Sequence, residues 1–148
     1  MMCGVKGGIE PMNTTLRILI VDDDDDMRTF LPNFLQQGMH FPHVATAENG
    51  LHALERLERA LDTESPFHIV ISDFEMPKMN GAELLKRIRA DERFRSIQFI
   101  LMSGARTLHD ISAEDRERVV EFISKPFSHV AMESALQKAA HEILMASR

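Results

Sequence analysis

The stretch "RILIVDDDDD", residues 17–26, joins a short apolar run directly to five consecutive aspartates. The near-continuous hydrophobicity of its first half is typical of a strand that is buried on both faces of a parallel sheet. Its second half, Asp22 to Asp26, is a block of like charges, which in most proteins is a solvated surface segment. The alternative is a cation site at the end of the strand, and the rest of the sequence decides between the two interpretations.

Four more apolar runs follow along the chain: "PHVATA" (42–47), "HIVIS" (68–72), "QFILM" (98–102) and "VVEFIS" (119–124). Longer segments with helical spacing of apolar residues separate them. This alternation predicts a doubly wound α/β fold, with right-handed crossovers and a five-stranded parallel sheet covered by helices on both faces. We expect a flexible N-terminal lead over residues 1–14 and one domain over residues 15–148, without a second domain.

Two of the predicted helices are irregular. The first should bury one face and be kinked, or start late, because Pro32 removes a hydrogen bond from its interior; that face comprises Met27, Phe30, Leu31, Phe34 and Leu35. Asp25 or Asp26 is predicted to cap this helix, whereas Asp24 has no predicted role. The fourth helical segment, residues 106–122, has few apolar positions, so a short or mobile helix starting at Ser112 is expected.

Composition and charge narrow the function classes. The 148 residues are 44% hydrophobic and 27% charged, which is ordinary for a globular domain. A formal charge of -6 without a basic stripe argues against nucleic-acid binding. One cysteine, Cys3, excludes an internal disulfide. The start of the chain lacks the apolar core of a signal peptide, and no apolar run is long enough for a membrane span. We therefore expect a cytoplasmic protein that does not bind membranes.

Polar side chains stand at the ends of four of the predicted strands. Asp22 and Asp23 end the first, Asp73 the third, Ser103 the fourth and Lys125 the fifth. Ligand sites in parallel sheets lie at the carboxyl ends of the strands, so these groups should share one pocket. Three adjacent carboxylates repel each other unless a cation lies between them, and Mg²⁺ prefers oxygen ligands. An ammonium and a hydroxyl beside them suit a phosphoryl group, with one aspartate as the nucleophile.

Four motifs in order carry a family resemblance: "VDDD" (21–24), "SDFEMPKMNG" (72–81), "MSGA" (102–105) and "KPF" (125–127). Together they resemble the receiver domain of bacterial response regulators, including the chemotaxis regulator type, over about residues 16–146. The resemblance implies a flavodoxin-like fold with strand order 2-1-3-4-5. It also implies a signalling domain of a two-component system rather than an enzyme, apart from slow self-dephosphorylation.

The resemblance further implies roles for individual residues. Asp73 matches the phosphoacceptor. Asp22 and Asp23 match the acidic pair that holds Mg²⁺ together with Asp73, and the backbone carbonyl of Glu75 matches a further metal ligand. Lys125 matches the lysine that pairs with the phosphoryl oxygens.

Two more positions match the residues that switch conformation on phosphorylation. Ser103 corresponds to the switch hydroxyl and Phe122 to the switch aromatic. Because Phe122 lacks a hydroxyl, any switching there is expected to act by packing. Pro126 is expected to follow a cis peptide bond, as in the family.

The implied partners are proteins. A sensor histidine kinase or a phosphotransfer protein would supply the phosphoryl group. A downstream effector would read the face formed by the fourth helix, fifth strand and fifth helix, or the phosphoryl group would be passed onward to another histidine. No nucleic acid and no membrane are expected as partners.

Two other functions fit part of the pattern. A Mg²⁺-dependent phosphohydrolase of the haloacid dehalogenase type would use Asp22 as nucleophile and Asp24 beside it, although Asp26 replaces the Thr or Val of its motif. A receiver-like interaction module would bind proteins without being phosphorylated. Within the receiver interpretation, the acidic side chain of Glu75 is hypothesised to alter the lifetime of the phosphoryl group.

Overall fold

The computed structural model describes residues 15–104 and 111–146. The predicted lead over residues 1–14 and the start of the fourth helical segment lie outside this range. Five strands pair in parallel in the order β2-β1-β3-β4-β5, which confirms the predicted sheet. Their bounds are β1 Arg17–Val21, β2 His43–Ala47, β3 Ile69–Asp73, β4 Gln98–Ser103 and β5 Glu121–Ser124.

Helices cover both faces of the sheet. Their bounds are α1 Asp25–Asn33, α2 Gly50–Asp62, α3 Gly81–Ala90, α4 Ala113–Arg116 and α5 His129–Ala146. Alternate strand residues face opposite layers: Ile18 and Ile20 of β1 pack with α1 and α5, whereas Leu19 and Val21 pack with α2 and α3. Burial of both faces explains why the strands are nearly continuous apolar runs.

The N-terminus of α1 differs from the prediction. The prediction that Asp25 or Asp26 caps α1 is wrong, because the cap is Asp24, whose carboxylate accepts a hydrogen bond from the Asp26 amide at 3.0 Å. Asp25 and Asp26 instead occupy the first turn, where their negative charges interact favourably with the positive end of the helix dipole. The cap leaves the two preceding aspartates outside the helix.

The remainder of α1 is also irregular. Pro32 lies inside the helix without delaying its start, and a π-helical turn, Phe34–Gly38, follows directly. Leu31 and Leu35 are buried as predicted, but Phe30 is 51% exposed and stacks on Phe34. The apolar face of α1 therefore continues beyond the core onto the surface.

In the described part of the chain, α4 is one turn long, in agreement with the prediction of a short helix. Ser112 caps it by accepting a hydrogen bond from the Asp115 amide. A side chain of α3 holds the loop after α4 in place. The Arg89 guanidinium donates to the Arg118 carbonyl in this loop at 2.9 Å and to the Ile97 carbonyl before β4 at 2.7 Å. Because so short a helix buries little apolar surface, these side-chain hydrogen bonds help to hold the segment on the domain.

Candidate functional site

The predicted acidic residues meet at the carboxyl edge of the sheet. Asp73 is the last residue of β3, and Asp22 directly follows the neighbouring strand β1. One carboxylate oxygen each of Asp22, Asp23 and Asp73 lies within 4.8 Å of the others. Asp22 and Asp73 are buried, whereas Asp23 is exposed. The sequence prediction that these three carboxylates share one pocket is confirmed.

Backbone contacts fix the position of Asp22. Its Oδ1 accepts the Asp24 amide at 2.9 Å, and its own amide donates to the Ala47 carbonyl at 3.1 Å. The Arg28 guanidinium, one turn into α1, donates to the Asp22 carbonyl at 2.7 Å. Asp22 Oδ2 is buried without a hydrogen-bond partner among the described residues, so one oxygen remains available to a cation.

Lys125 supplies the positive charge of the pocket. Its Nζ lies 3.0 Å from Asp73 Oδ1 and 3.7 Å from Asp22 Oδ2. The backbone amide of Lys125 donates to the Ser103 carbonyl at 2.9 Å, which ties this residue to the end of β4. The Lys125–Pro126 peptide bond is cis, as predicted.

Burial and neighbouring charges shift the pKa values in opposite directions. Burial raises the pKa of Asp22, although the Asp24 amide and Lys125 lower it in part. Burial likewise raises the pKa of Asp73 against the lowering effect of Lys125. For Lys125, burial lowers the pKa, but the hydrogen bond to Asp73 and the three carboxylates outweigh it and raise the pKa overall. The ammonium therefore stays charged, and the carboxylates favour an additional cation.

The remaining predicted residues occupy different environments. Ser103 is fully buried, and its Oγ has no hydrogen-bond partner within the described ranges. Glu75 is exposed in the loop between β3 and α3. Phe122 is half-buried and packs on the core layer that faces α2 and α3. The carboxylates, Lys125 and Ser103 thus lie along one sheet edge, whereas Phe122 adjoins it from β5.

Gly81 is a residue of this site that the sequence analysis did not single out. A Cβ built on it would lie 2.6 Å from the Asp73 carbonyl oxygen and 2.7 Å from Leu101 Cδ1. Its amide donates to the Phe74 carbonyl at 2.8 Å, so α3 starts in direct contact with the acceptor strand. Gly81 stands at the end of the motif "SDFEMPKMNG", and an Asn-Gly pair before a helix is the signal that marks it.

An aromatic cluster borders the acidic pocket. Phe30, Phe34 and Phe127 contact one another with ring centroids 5.6 to 6.3 Å apart. With Asp24 and Lys125 they line a groove of about 540 Å³. An apolar surface therefore lies directly beside the charged groups.

Comparisons with known proteins agree with this geometry. Residues 18–137 match the response regulator receiver domain. The chain is 32% identical over 122 residues to the chemotaxis protein CheY1 of Helicobacter pylori, covering 82% of this chain and 94% of the relative. It is also 32% identical over 127 residues to CheY-3 of Vibrio cholerae, covering 86% and 93% respectively.

A solved structure supports the fold independently. A receiver domain protein from Clostridium thermocellum superposes with a TM-score of 0.73, at 21% identity and over 88% of this chain and 98% of that one. The chain belongs to the response regulator receiver domain family, whose members are signalling domains of two-component systems. Within that family it is similar to chemotaxis response regulators. Within residues 15–104 and 111–146, no helix is both long and apolar enough to cross a membrane.

Proposed function

We propose that Asp73 accepts a phosphoryl group from a histidine kinase or a phosphotransfer protein. A carboxylate oxygen of Asp73 attacks phosphorus, an acyl phosphate P–O bond forms, and the P–N bond to the donor histidine breaks. The observation that carries this proposal is the buried Asp73 carboxylate 3.0 Å from the Lys125 ammonium, beside two further carboxylates. Lys125 would remain on the phosphoryl oxygens after transfer.

A Mg²⁺ ion fits the residues of this pocket. Asp22, Asp23 and Asp73 offer carboxylate oxygens within 4.8 Å of one another, and Asp22 Oδ2 is buried without a hydrogen-bond partner among the described residues. The Glu75 backbone carbonyl is proposed as a further ligand. When bound, the ion would neutralise charge on the transferring phosphoryl group.

We infer that Ser103 and Phe122 transmit the phosphorylated state. The Ser103 Oγ is buried and has no hydrogen-bond partner among the described residues, so it can donate to a phosphoryl oxygen and gain a bond on phosphorylation. Phe122 is half-buried, so a shift of β4 would change its packing. The expected result is a changed surface on α4, β5 and α5, which a downstream effector would read.

The proposed domain spans residues 15–148 and follows the lead over residues 1–14. Its proposed location is cytoplasmic, which the single cysteine of the sequence supports. Onward transfer of the phosphoryl group to another histidine is a second possible output, since an aspartyl phosphate is reactive enough to phosphorylate imidazole. No contact with nucleic acid is proposed.

The decisive experiment is intact-mass spectrometry after incubation with acetyl phosphate, with and without Mg²⁺. We expect one phosphoryl adduct in the wild type with Mg²⁺ and none in Asp73→Asn. An adduct that survives Asp73→Asn would indicate Asp22 and a phosphohydrolase. No adduct in any sample would indicate a receiver-like module that is not phosphorylated.

Glu75 offers a finer test of the same site. Its exposed side chain lies two residues after the acceptor, close to where water would approach the acyl phosphate. We expect Glu75→Asn to change the rate at which the adduct decays while leaving its formation dependent on Asp73. Equal decay rates for the two proteins would rule out a role for the Glu75 side chain.

A further inference from the structure

A basic cleft lies at the opposite, amino edge of the sheet. It occupies about 400 Å³ between the edge strand β2 and the second half of α2. Arg17 and His43 start β1 and β2 at paired positions, and Arg56 and Arg59 face the same cleft from α2. Three guanidinium groups thus line one cleft of a protein whose formal charge is -6.

Among the described residues, these arginines lack the side-chain partners that other arginines have. Arg28, Arg89 and Arg93 donate to carbonyl or carboxylate oxygens of the protein. By contrast, Arg17, Arg56 and Arg59 form no side-chain ion pair with any residue in 15–104 or 111–146. None of the described residues that line the cleft is acidic.

Buried donor atoms strengthen the case for a ligand. The Nε atoms of Arg17 and Arg56 are buried and have no hydrogen-bond partner in the described structure. A buried donor without an acceptor destabilises the protein, and more so when it is charged. Guanidinium groups bind phosphate and carboxylate with paired, charge-assisted hydrogen bonds. An anion in the cleft would offer acceptors to guanidinium groups that have none among the described residues.

The remaining walls of the cleft indicate the kind of anion. Pro42, Val44, Ala45 and Phe67 contribute apolar surface beside the arginines. The cleft volume lies within the range of about 300–1,000 Å³ that is usual for small-molecule sites. We propose that this cleft binds a small organic phosphate, with the phosphate on the three guanidinium groups and the apolar part against Val44 and Phe67.

The test uses phenyl phosphate and inorganic phosphate as probes, in EDTA and low salt, followed by amide NMR. Phenyl phosphate is expected to shift the signals of residues 43–45 and 56–67 to saturation, and inorganic phosphate the same signals more weakly. The double variant Arg56→Gln/Arg59→Gln should bind phenyl phosphate at least tenfold more weakly, because two charged donors are lost. Arg95→Gln, an exposed arginine outside the cleft, should bind like the wild type.

Several results would overturn the proposal. Signals that do not move up to 10 mM phenyl phosphate, about the weakest affinity worth assigning to a site, would exclude binding. The proposal also fails if the shifts are confined to the acidic pocket, if they persist unchanged in the double variant, or if Arg95→Gln weakens binding equally. Equal affinity for the two probes would remove the role of the apolar wall. Circular dichroism of each variant distinguishes lost binding from lost folding.

Discussion

Strand β1 joins two regions of opposite charge. Its first residue, Arg17, lines the basic cleft, and Asp22, one residue past its end, lies in the acidic pocket. The two residues are five positions apart, which is about 16 Å of extended chain. Each region also holds a buried polar atom without a hydrogen-bond partner among the described residues: Arg17 Nε at one end and Asp22 Oδ2 at the other.

The two regions differ in how the protein itself compensates the charge. In the acidic pocket, Lys125 lies within 4 Å of two carboxylates, so part of the repulsion is already relieved. In the basic cleft, the walls contain no acidic side chain from the part of the chain that the structure describes. Charge without a partner, rather than charge alone, therefore indicates a candidate ligand site: Arg93 carries the same charge, but its guanidinium is paired with Glu58 and Asp91.

The largest expected effect concerns the cation at the acidic end. At one hundred times its dissociation constant, a ligand that binds only the native state stabilises it by about 2.7 kcal/mol. We expect Mg²⁺ to raise the thermal stability of the wild type accordingly and to have little effect on Asp22→Asn. Thermal unfolding with Mg²⁺ and with EDTA measures both.

The control for this prediction is Asp26→Asn, a change in the same run of aspartates but in the exposed first turn of α1. It should retain the response to Mg²⁺. In EDTA, Asp22→Asn should be at least as stable as the wild type, because burial raises the pKa of Asp22 and so opposes its charged form. Equal Mg²⁺ responses in all three proteins would place the cation elsewhere.

The next effect concerns packing beneath the acceptor. A Cβ on Gly81 would meet backbone at 2.6 Å, so Gly81→Ala should force α3 and β3 apart. Overpacking of this kind costs typically 1–3 kcal/mol. Chemical denaturation should show a loss in this range, and phosphorylation of Asp73 should slow because its backbone is displaced.

Gly38→Ala is the matched control for Gly81→Ala. The nearest atom to its added Cβ would be Phe34 Cδ1 at 3.9 Å, which is ordinary van der Waals contact. Its free energy of unfolding should therefore stay close to that of the wild type. If both variants lose the same stability, the close approach at Gly81 is not the cause.

The acidic pocket was predictable from the sequence because its residues follow strands. Each apolar run marks a strand, and the sheet brings the strand ends together, so Asp22, Asp73 and Lys125 were placed by pattern alone. The cap of α1 was not predictable in this way, because a choice between Asp24 and its neighbours requires the start of the helix to be known to within one residue. The exposure of Phe30 was missed for a related reason, since spacing predicts a shared face but not where the core ends.

The basic cleft has no comparable signal. Arg56 and Arg59 are one helical turn apart, but Arg17 lies 39 positions before Arg56, and the three form neither a motif nor a basic run. They meet only because β2 pairs with β1 in the register Arg17 to His43 and because α2 runs back toward the amino edge. Net charge pointed the other way, since the chain as a whole is acidic. Clusters of this kind depend on tertiary structure and are found only once register and helix placement are known.

The smallest expected effect lies beside the basic cleft and concerns pH. His68 Nδ1 accepts a hydrogen bond from the Arg17 backbone amide at 3.0 Å, and burial together with the Arg17 charge lowers the pKa of His68.

Below the pKa of about 6.5 that His68 has in the unfolded state, the unfolded state binds a proton more readily than the native state does. Stability should therefore be full at pH values well above about 6.5 and fall slightly as the pH drops below that value. His68→Gln keeps an acceptor without the titration and should flatten this dependence, whereas the exposed His141→Gln should not. Identical pH profiles of the free energy of unfolding for wild type and His68→Gln would show that the contact with Arg17 tolerates a protonated imidazole.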